Sequence, residues 1–218
     1  MAAKILIGCE FSATVRTAFE KKGFNPLSCD IIDTDVPGNH FIGDLQEKLQ
    51  ESWDLIIAFP PCTFLSSAGL HYCNIENHGT NGWERIKERN KAVDFFLSIW
   101  FSNAKHICIE NPTGFISSSI IKPSQIIHPY YFGDEKMKRT CLWLKNLPTL
   151  LHSNTTDLFS QKTHNTTFNP YKSAYKNKHG KEKKTTWIDY ASKHERSRFS
   201  PYIAEAMADQ WADILIQY

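Results

Sequence analysis

Residues 54–69, Asp54 to Gly69, read DLIIAFPPCTFLSSAG. The apolar run Leu55-Ile56-Ile57-Ala58-Phe59 is short, rich in β-branched residues and closed by Pro60 and Pro61. Such a run predicts a buried strand. Each proline fixes φ and removes a backbone donor, so the chain leaves the sheet in a stiff turn. Cys62 then stands on the loop at the carboxyl end of that strand, the edge where ligands sit in open α/β sheets. Ser66, Ser67, Ala68 and Gly69 keep the loop small. Taken alone, Cys62 reads equally as a small buried hydrophobe, the role of most free cysteines.

The surrounding chain has the same α/β grammar. Lys4–Ile7 predicts a first buried strand ending at Gly8. Ser12 is placed to cap a helix carrying Val15, Ala18 and Phe19, with Gly23 as its stop. Asn25–Cys29 predicts a second strand ending at Asp30. Strand, tight turn, helix, strand and acidic residue outline a nucleotide-binding unit in which Asp30 accepts hydrogen bonds from a ribose. Any β-α-β unit with an acid at a strand end gives the same outline. Asp44 stands where it caps a helix over 45–51, and residues 71–83 carry turn residues that predict a mobile loop. Residues 84–101 predict an amphipathic helix with Ile86, Val93, Phe96, Leu97 and Trp100 on one side. Lys105–Ile109 predicts a buried strand ending at Glu110-Asn111-Pro112.

The stretch Pro60-Pro61-Cys62, with Ser66 and Ala68-Gly69 in register behind it, resembles the cytosine-5 DNA methyltransferases, in the form of their small phage and prophage members. Thr63 and Leu65 replace that family's Gln and Phe. The resemblance implies an α/β fold with a doubly wound, mostly parallel sheet, the Rossmann-like fold of S-adenosylmethionine-dependent methyltransferases. It implies Cys62 as nucleophile, Glu110 as the residue holding the base, and Arg139 as its orienting partner. Gly8, Glu10, Phe11, Asp30, Asp44 and Pro60 are then the cofactor-binding positions. Glu10 and Phe11 stand where the family has glycines, and an acidic side chain there narrows the methionine end of the site. Glu110 also reads as a salt-bridged carboxylate at a sheet edge, and Arg139, after Lys136 and Lys138, as a solvated basic turn. The resemblance implies S-adenosylmethionine as cofactor and DNA as partner, the cytosine flipped out or single-stranded. The other readings are a methyltransferase-like enzyme acting on a free nucleotide, and an inactive nucleotide- or nucleic-acid-binding protein of the same fold.

The whole chain agrees with one methyltransferase-like domain over 1–218. Its 218 residues suffice for one sizeable core. With 41% hydrophobic and 22% charged residues, the composition is that of a globular protein. A formal net charge of +2 is no argument for nucleic acid by itself. No apolar stretch reaches the roughly 20 residues of a membrane span, and the N-terminal apolar run is too short for a signal peptide. The six cysteines are scattered singly with no Cys-x-x-Cys pair, so no metal site is expected and the compartment reads as cytoplasmic. Residues 130–144 predict strands around the basic cluster. Residues 151–198 read as a short polar, flexible insertion in place of a target-recognition domain. Residues 200–216 predict a closing helix, with Pro201 in its first turn.

Overall fold

A computed structural model describes residues 3–152, 171–176, 180–186, 190–192, 195 and 197–216. Its centre is a seven-stranded sheet of β1 (Ile5–Gly8), β2 (Leu27–Asp30), β3 (His40–Ile42), β4 (Trp53–Ala58), β5 (Ala104–Pro112), β6 (Gln125–Ile127) and β7 (Thr140–Lys145). The spatial order is β3-β2-β1-β4-β5-β7-β6. β1 to β5 are parallel, and β7 runs antiparallel to both β5 and β6. A doubly wound parallel sheet with one reversed strand beside its last parallel strand is the Rossmann-like methyltransferase fold.

Both faces of the sheet are covered, which is why its central strands are apolar throughout rather than alternating. Ile5, Ile7, Leu55 and Ile57 point to one face, under α1 (Thr14–Glu20) and the closing helix α5 (Pro201–Ile216). Met207 and Trp211 of α5 join that cluster with Val15 and Phe19 of α1. Leu6, Ile56, Ile107 and Ile109 point to the other face, under Val93, Phe96 and Ile99 of α4 (Ile75–Trp100). There Phe96 meets Trp143 of β7 edge-on, with ring centroids 5.0 Å apart. The indole N–H of Trp143 donates to the Ile121 carbonyl at 2.9 Å, so the buried polar atom is satisfied.

The helix starts have causes that differ from the sequence reading. The cap position of α1 is Ala13, in the left-handed region at φ 55, one residue after the expected Ser12. The Ser12 hydroxyl still accepts from the first helical amide, that of Thr14, at 3.4 Å, and Glu10 meets the next two. Residues 71–83 are not a loop: Asn74 accepts from the Asn77 amide at 3.0 Å and starts α4, and Gly79, at φ 53, breaks the helix without ending it. Two short helices precede these features, α2 (Leu45–Lys48), capped by Asp44, and α3 (Ser67–Leu70). In residues 130–144 only β7 is a strand, and residues 129–132 form a 3-10 helix. The polar stretch 151–198 contains a two-stranded antiparallel ribbon, β8 (Tyr171–Lys176) and β9 (Glu182–Thr186). Residues 153–170, 177–179, 187–189, 193–194 and 196 of the expected flexible insertion lie outside the described residues.

The register puts the strand ends level. Gly8 pairs with Cys29 and Ala58, Ala58 with Ile109, and Asp30 with Ile42. Because β7 is reversed, its first residue Thr140 pairs with Pro112, so the chain before it arrives at the same edge. Past that edge the loops after β4 and β5 hold each other. The Phe115 amide donates to the Leu65 carbonyl at 2.7 Å, and the Ser67 amide to the Thr113 carbonyl at 3.1 Å. A Cβ on Gly114 would lie 1.9 Å from that Leu65 carbonyl oxygen, so only glycine fits. Replacing Gly114 with Ala should therefore destabilise the protein by about 1–3 kcal/mol, the usual cost of overpacking. Urea melts check this, and an unchanged midpoint would show that the two loops are not in contact.

Candidate active site

The loops beyond the sheet edge enclose a cavity of about 730 Å³. Cys62, Glu110, Arg139, Phe11, Asp30, Asp44 and Pro60 line it together; Gly8 and Glu10 do not. Nine separate positions, read off six different segments of the sequence, are thus brought to one edge, and seven of them reach one space.

Cys62 is held by its own backbone. Its carbonyl accepts from the amides of Leu65 at 3.0 Å and Ser66 at 2.9 Å, which folds the loop back beneath the thiol. Asn111, next to Glu110 on β5, donates its side-chain amide to the Pro60 carbonyl at 2.8 Å. Proline cannot bond the sheet through nitrogen, so this carbonyl is the proline turn's anchor to the strand beside it. From the far side Arg85 of α4 donates to the carbonyls of Gly69 at 3.2 Å and Thr63 at 3.0 Å. The thiol itself is free and exposed to the cavity. Loss of solvation, and then the negative charge of Glu110, raise its pKa, while Lys138 lowers it.

Glu110 is buried in β5, opposite Leu142 of β7. Its Oε1 meets no hydrogen-bond partner among the described residues. Burial pushes this carboxyl above its ordinary range, and Lys138 pulls partly against that. A buried carboxyl with an unsatisfied oxygen on a cavity wall is poised to hold a proton and to bond an incoming polar group. Lys138 lines the same cavity and is the residue the sequence reading passed over in favour of Arg139. Its signal was present in the reversed strand, because both residues directly precede Thr140 at the edge.

The opposite end of the cavity is acidic. Asp30 is half-buried, and burial raises its pKa against the amide of Ile32, which donates to it at 3.3 Å. Asp44 caps α2 by accepting from the Gln46 amide at 2.9 Å, and it faces the cavity as well. Cys9 holds φ 57, a left-handed conformation that costs a non-glycine residue roughly 1–3 kcal/mol and concentrates at functional sites. Phe59 and Phe199 meet on the cavity wall with ring centroids 4.7 Å apart and planes tilted by 51°.

Glu10 does a different job from the expected one. It is 3% exposed, and its two oxygens accept from the amides of Val15 at 2.6 Å and Arg16 at 3.2 Å. Burial raises its pKa to about 7 even against those bonds. In doubly wound folds the first helix commonly presents these amides to a phosphate. Here the protein's own carboxylate takes them. Arg16, buried on the same turn, donates to the Ser28 hydroxyl at 3.2 Å and to the carbonyls of Val36 and Pro37, which ties the segment after β2 to α1. A lone arginine in a short amphipathic run carried no sign of that role.

Among the described residues no group of three or more His, Cys, Asp or Glu is placed to hold a metal ion, and no helix is long and apolar enough to cross a membrane.

No protein-family profile and no curated protein sequence matches the chain. Among solved structures it is similar to an rRNA methylase from Escherichia coli, at 11% identity over 66% of this chain and 57% of that one, with a TM-score of 0.34. It is similar to a DNMT2 variant from Spodoptera frugiperda, at 17% identity over 70% of this chain and 54% of that one, with a TM-score of 0.37. The bifunctional kinase-methyltransferase WbdD matches at 12% identity over 69% of this chain and 36% of its own, with a TM-score of 0.34. The chain thus spans between 36% and 57% of the length of these three structures. The fold assignment rests on the strand order and the one reversed strand.

Proposed function

We propose that the protein transfers a methyl group from S-adenosylmethionine to carbon 5 of cytosine in DNA, through a covalent adduct with Cys62. The observation that carries this reading is that an exposed thiol and a buried, unsatisfied carboxyl share one cavity with two acids at the opposite end. The acidic end suits a nucleoside cofactor without phosphates. Asp30 is placed for ribose hydroxyls and Asp44 for the adenine side, while Glu10 occupies the amides a phosphate would need. When bound there, S-adenosylmethionine supplies an electrophilic methyl group.

The protein's own residues prepare the base. Carbon 5 of cytosine is too weak a nucleophile until a thiolate adds to carbon 6. In that step a bond forms between the Cys62 sulfur and carbon 6, and the ring electrons move towards N3 and carbon 5. Glu110 binds N3 and the exocyclic amine and shares its proton with N3, which neutralises the developing charge. Once carbon 5 carries the methyl group its proton passes to water, the carbon 5–hydrogen electron pair re-forms the carbon 5–carbon 6 double bond, the carbon–sulfur bond breaks to release Cys62 as thiolate, and N3 returns its proton to Glu110. Lys138 and Arg139 line the same cavity, and in this reading they take the base's carbonyl side or the adjoining phosphate. In a duplex the base must first leave the stack, at a cost of a few kcal/mol.

The two reacting groups work against each other before substrate arrives. Whenever Glu110 is ionised, its charge acts on the thiol and disfavours the thiolate. When the carboxyl holds a proton against N3, that like charge is gone, and the thiolate forms with the base already in place. A second reading, a binding protein of this fold without chemistry, is favoured by Glu10 and Phe11, which stand where the family has glycines, and by Thr63 in place of its Gln. Cofactor titration followed by a transfer assay separates the two.

Two outcomes follow from the site. Glu110→Gln removes the like charge, so the Cys62 thiol should titrate at lower pH in the ligand-free protein, and Lys138→Gln should move it higher. The pH profile of iodoacetamide labelling at Cys62 checks both signs, and an unmoved profile in Glu110→Gln would contradict an ionised carboxyl beside the thiol. Cys62→Ser and Glu110→Gln should each abolish transfer of labelled methyl to a cytosine-containing strand. The double variant should be no worse than either single one, because the residues act as a unit. Full transfer by a folded Cys62→Ser protein would exclude this mechanism.

A further inference from the structure

The ribbon of β8 and β9 adds almost nothing to the core. Of its described side chains only Thr185 is buried, and none belongs to either apolar cluster. A two-stranded hairpin without an apolar face is marginal on its own. What the ribbon does concentrate is charge. Residues 171–186 hold six lysines and one glutamate, a formal +5, in a chain whose total is +2, so the remainder carries −3. Of these lysines, Lys176, Lys181, Lys183 and Lys184 are described and exposed.

The register arranges that charge beside aromatic rings. Tyr175 pairs with Lys183 across the strands, so both project from one face, and Tyr175 is 48% exposed. Lys184, exposed on the other face, stands over the ring of Tyr171 at 5.0 Å. The ribbon is stiffened by a polar clasp: the Tyr190 hydroxyl bonds Ser173 at 2.7 Å and Thr185 at 2.9 Å. Ser197, which follows Tyr190 in the chain, lines the cavity, and the seven intervening steps limit the distance from Tyr190 to that wall to roughly 25 Å.

We propose that this ribbon grips a single nucleic-acid strand without reading its sequence, its lysines on phosphates and Tyr175 stacked on a base. Lysine is a point charge that neutralises phosphate without selecting a base edge, and every base offers a face to an aromatic ring. The partner is therefore polymeric, which deepens the proposed function: the site takes a cytosine presented by a strand rather than a free nucleotide.

Fluorescence anisotropy with a labelled single-stranded DNA oligonucleotide tests this on the full chain. Wild type should bind strands of differing sequence alike and lose affinity steeply with salt. Lys183→Ala with Lys184→Ala should weaken binding and flatten the log–log salt slope by roughly 1 to 2, as expected for two lost contacts on a single strand. Tyr175→Ala should weaken binding with the salt slope unchanged. Folding is checked by circular dichroism, and the α/β site by the thermal shift with S-adenosylhomocysteine, which these variants should retain. Unchanged affinity and slope in the double lysine variant, or binding confined to one sequence, would overturn the ribbon's role. A wild type that binds the strand but shows no shift with S-adenosylhomocysteine would instead count against the proposed function and leave the ribbon standing.

Discussion

Backbone groups that leave a parallel sheet must find new partners, and here the loops after β4 and β5 find them in each other. The Asn111 amide on the Pro60 carbonyl, the Leu65 carbonyl under Phe115, and the Thr113 carbonyl under Ser67 are one continuous set of bonds. They fix a proline turn that has lost two donors of its own. The same set fixes where Cys62 stands relative to Glu110, since each residue lies within two positions of a bonded group. Gly114 is the steric condition for that closeness.

Charge is then distributed along the cavity by topology. β2 ends in Asp30 and the turn after β3 brings Asp44 to one side, and the segment entering the reversed β7 delivers Lys138 and Arg139 on the other. A reversed strand is what makes the second delivery possible, because its entering end shares an edge with the exits of the parallel strands. Burial raises the carboxyls of Asp30 and Glu110 alike; the amides of Ile32 and Ile31 and then His40 act against that shift at Asp30, and Lys138 acts against it at Glu110. Glu10 adds a fixed carboxylate beneath the acidic side and closes the helix amides to phosphate.

Much of this was legible in the residues. Buried strands such as Leu55–Phe59 and Lys105–Ile109 declare themselves because both sheet faces need apolar side chains, and a strand end names the residue at the edge. Cys62, Glu110, Asp30 and Asp44 followed from that alone or from the resemblance. Short edge strands did not: β3 and β6 have three residues each and too little pattern to stand out. Residues 71–83 misled because asparagines and glycines read as turns, whereas Asn74 is a cap and Gly79 only a break. Glu10 misled because its partners are amides of the following helix, which a sequence does not display. Arg16 and Asn111 were silent for the same reason: each acts on a backbone carbonyl brought near by the fold.

The central claim is that Cys62 forms a bond with a cytosine. DNA containing 5-fluorocytosine tests it directly, since the fluorine cannot leave as a proton does and the adduct persists. With S-adenosylmethionine present, peptide mass spectrometry should find the strand attached at Cys62 and at none of the other five cysteines. A folded, cofactor-binding protein that shows no adduct, or an adduct on another cysteine, would contradict the account.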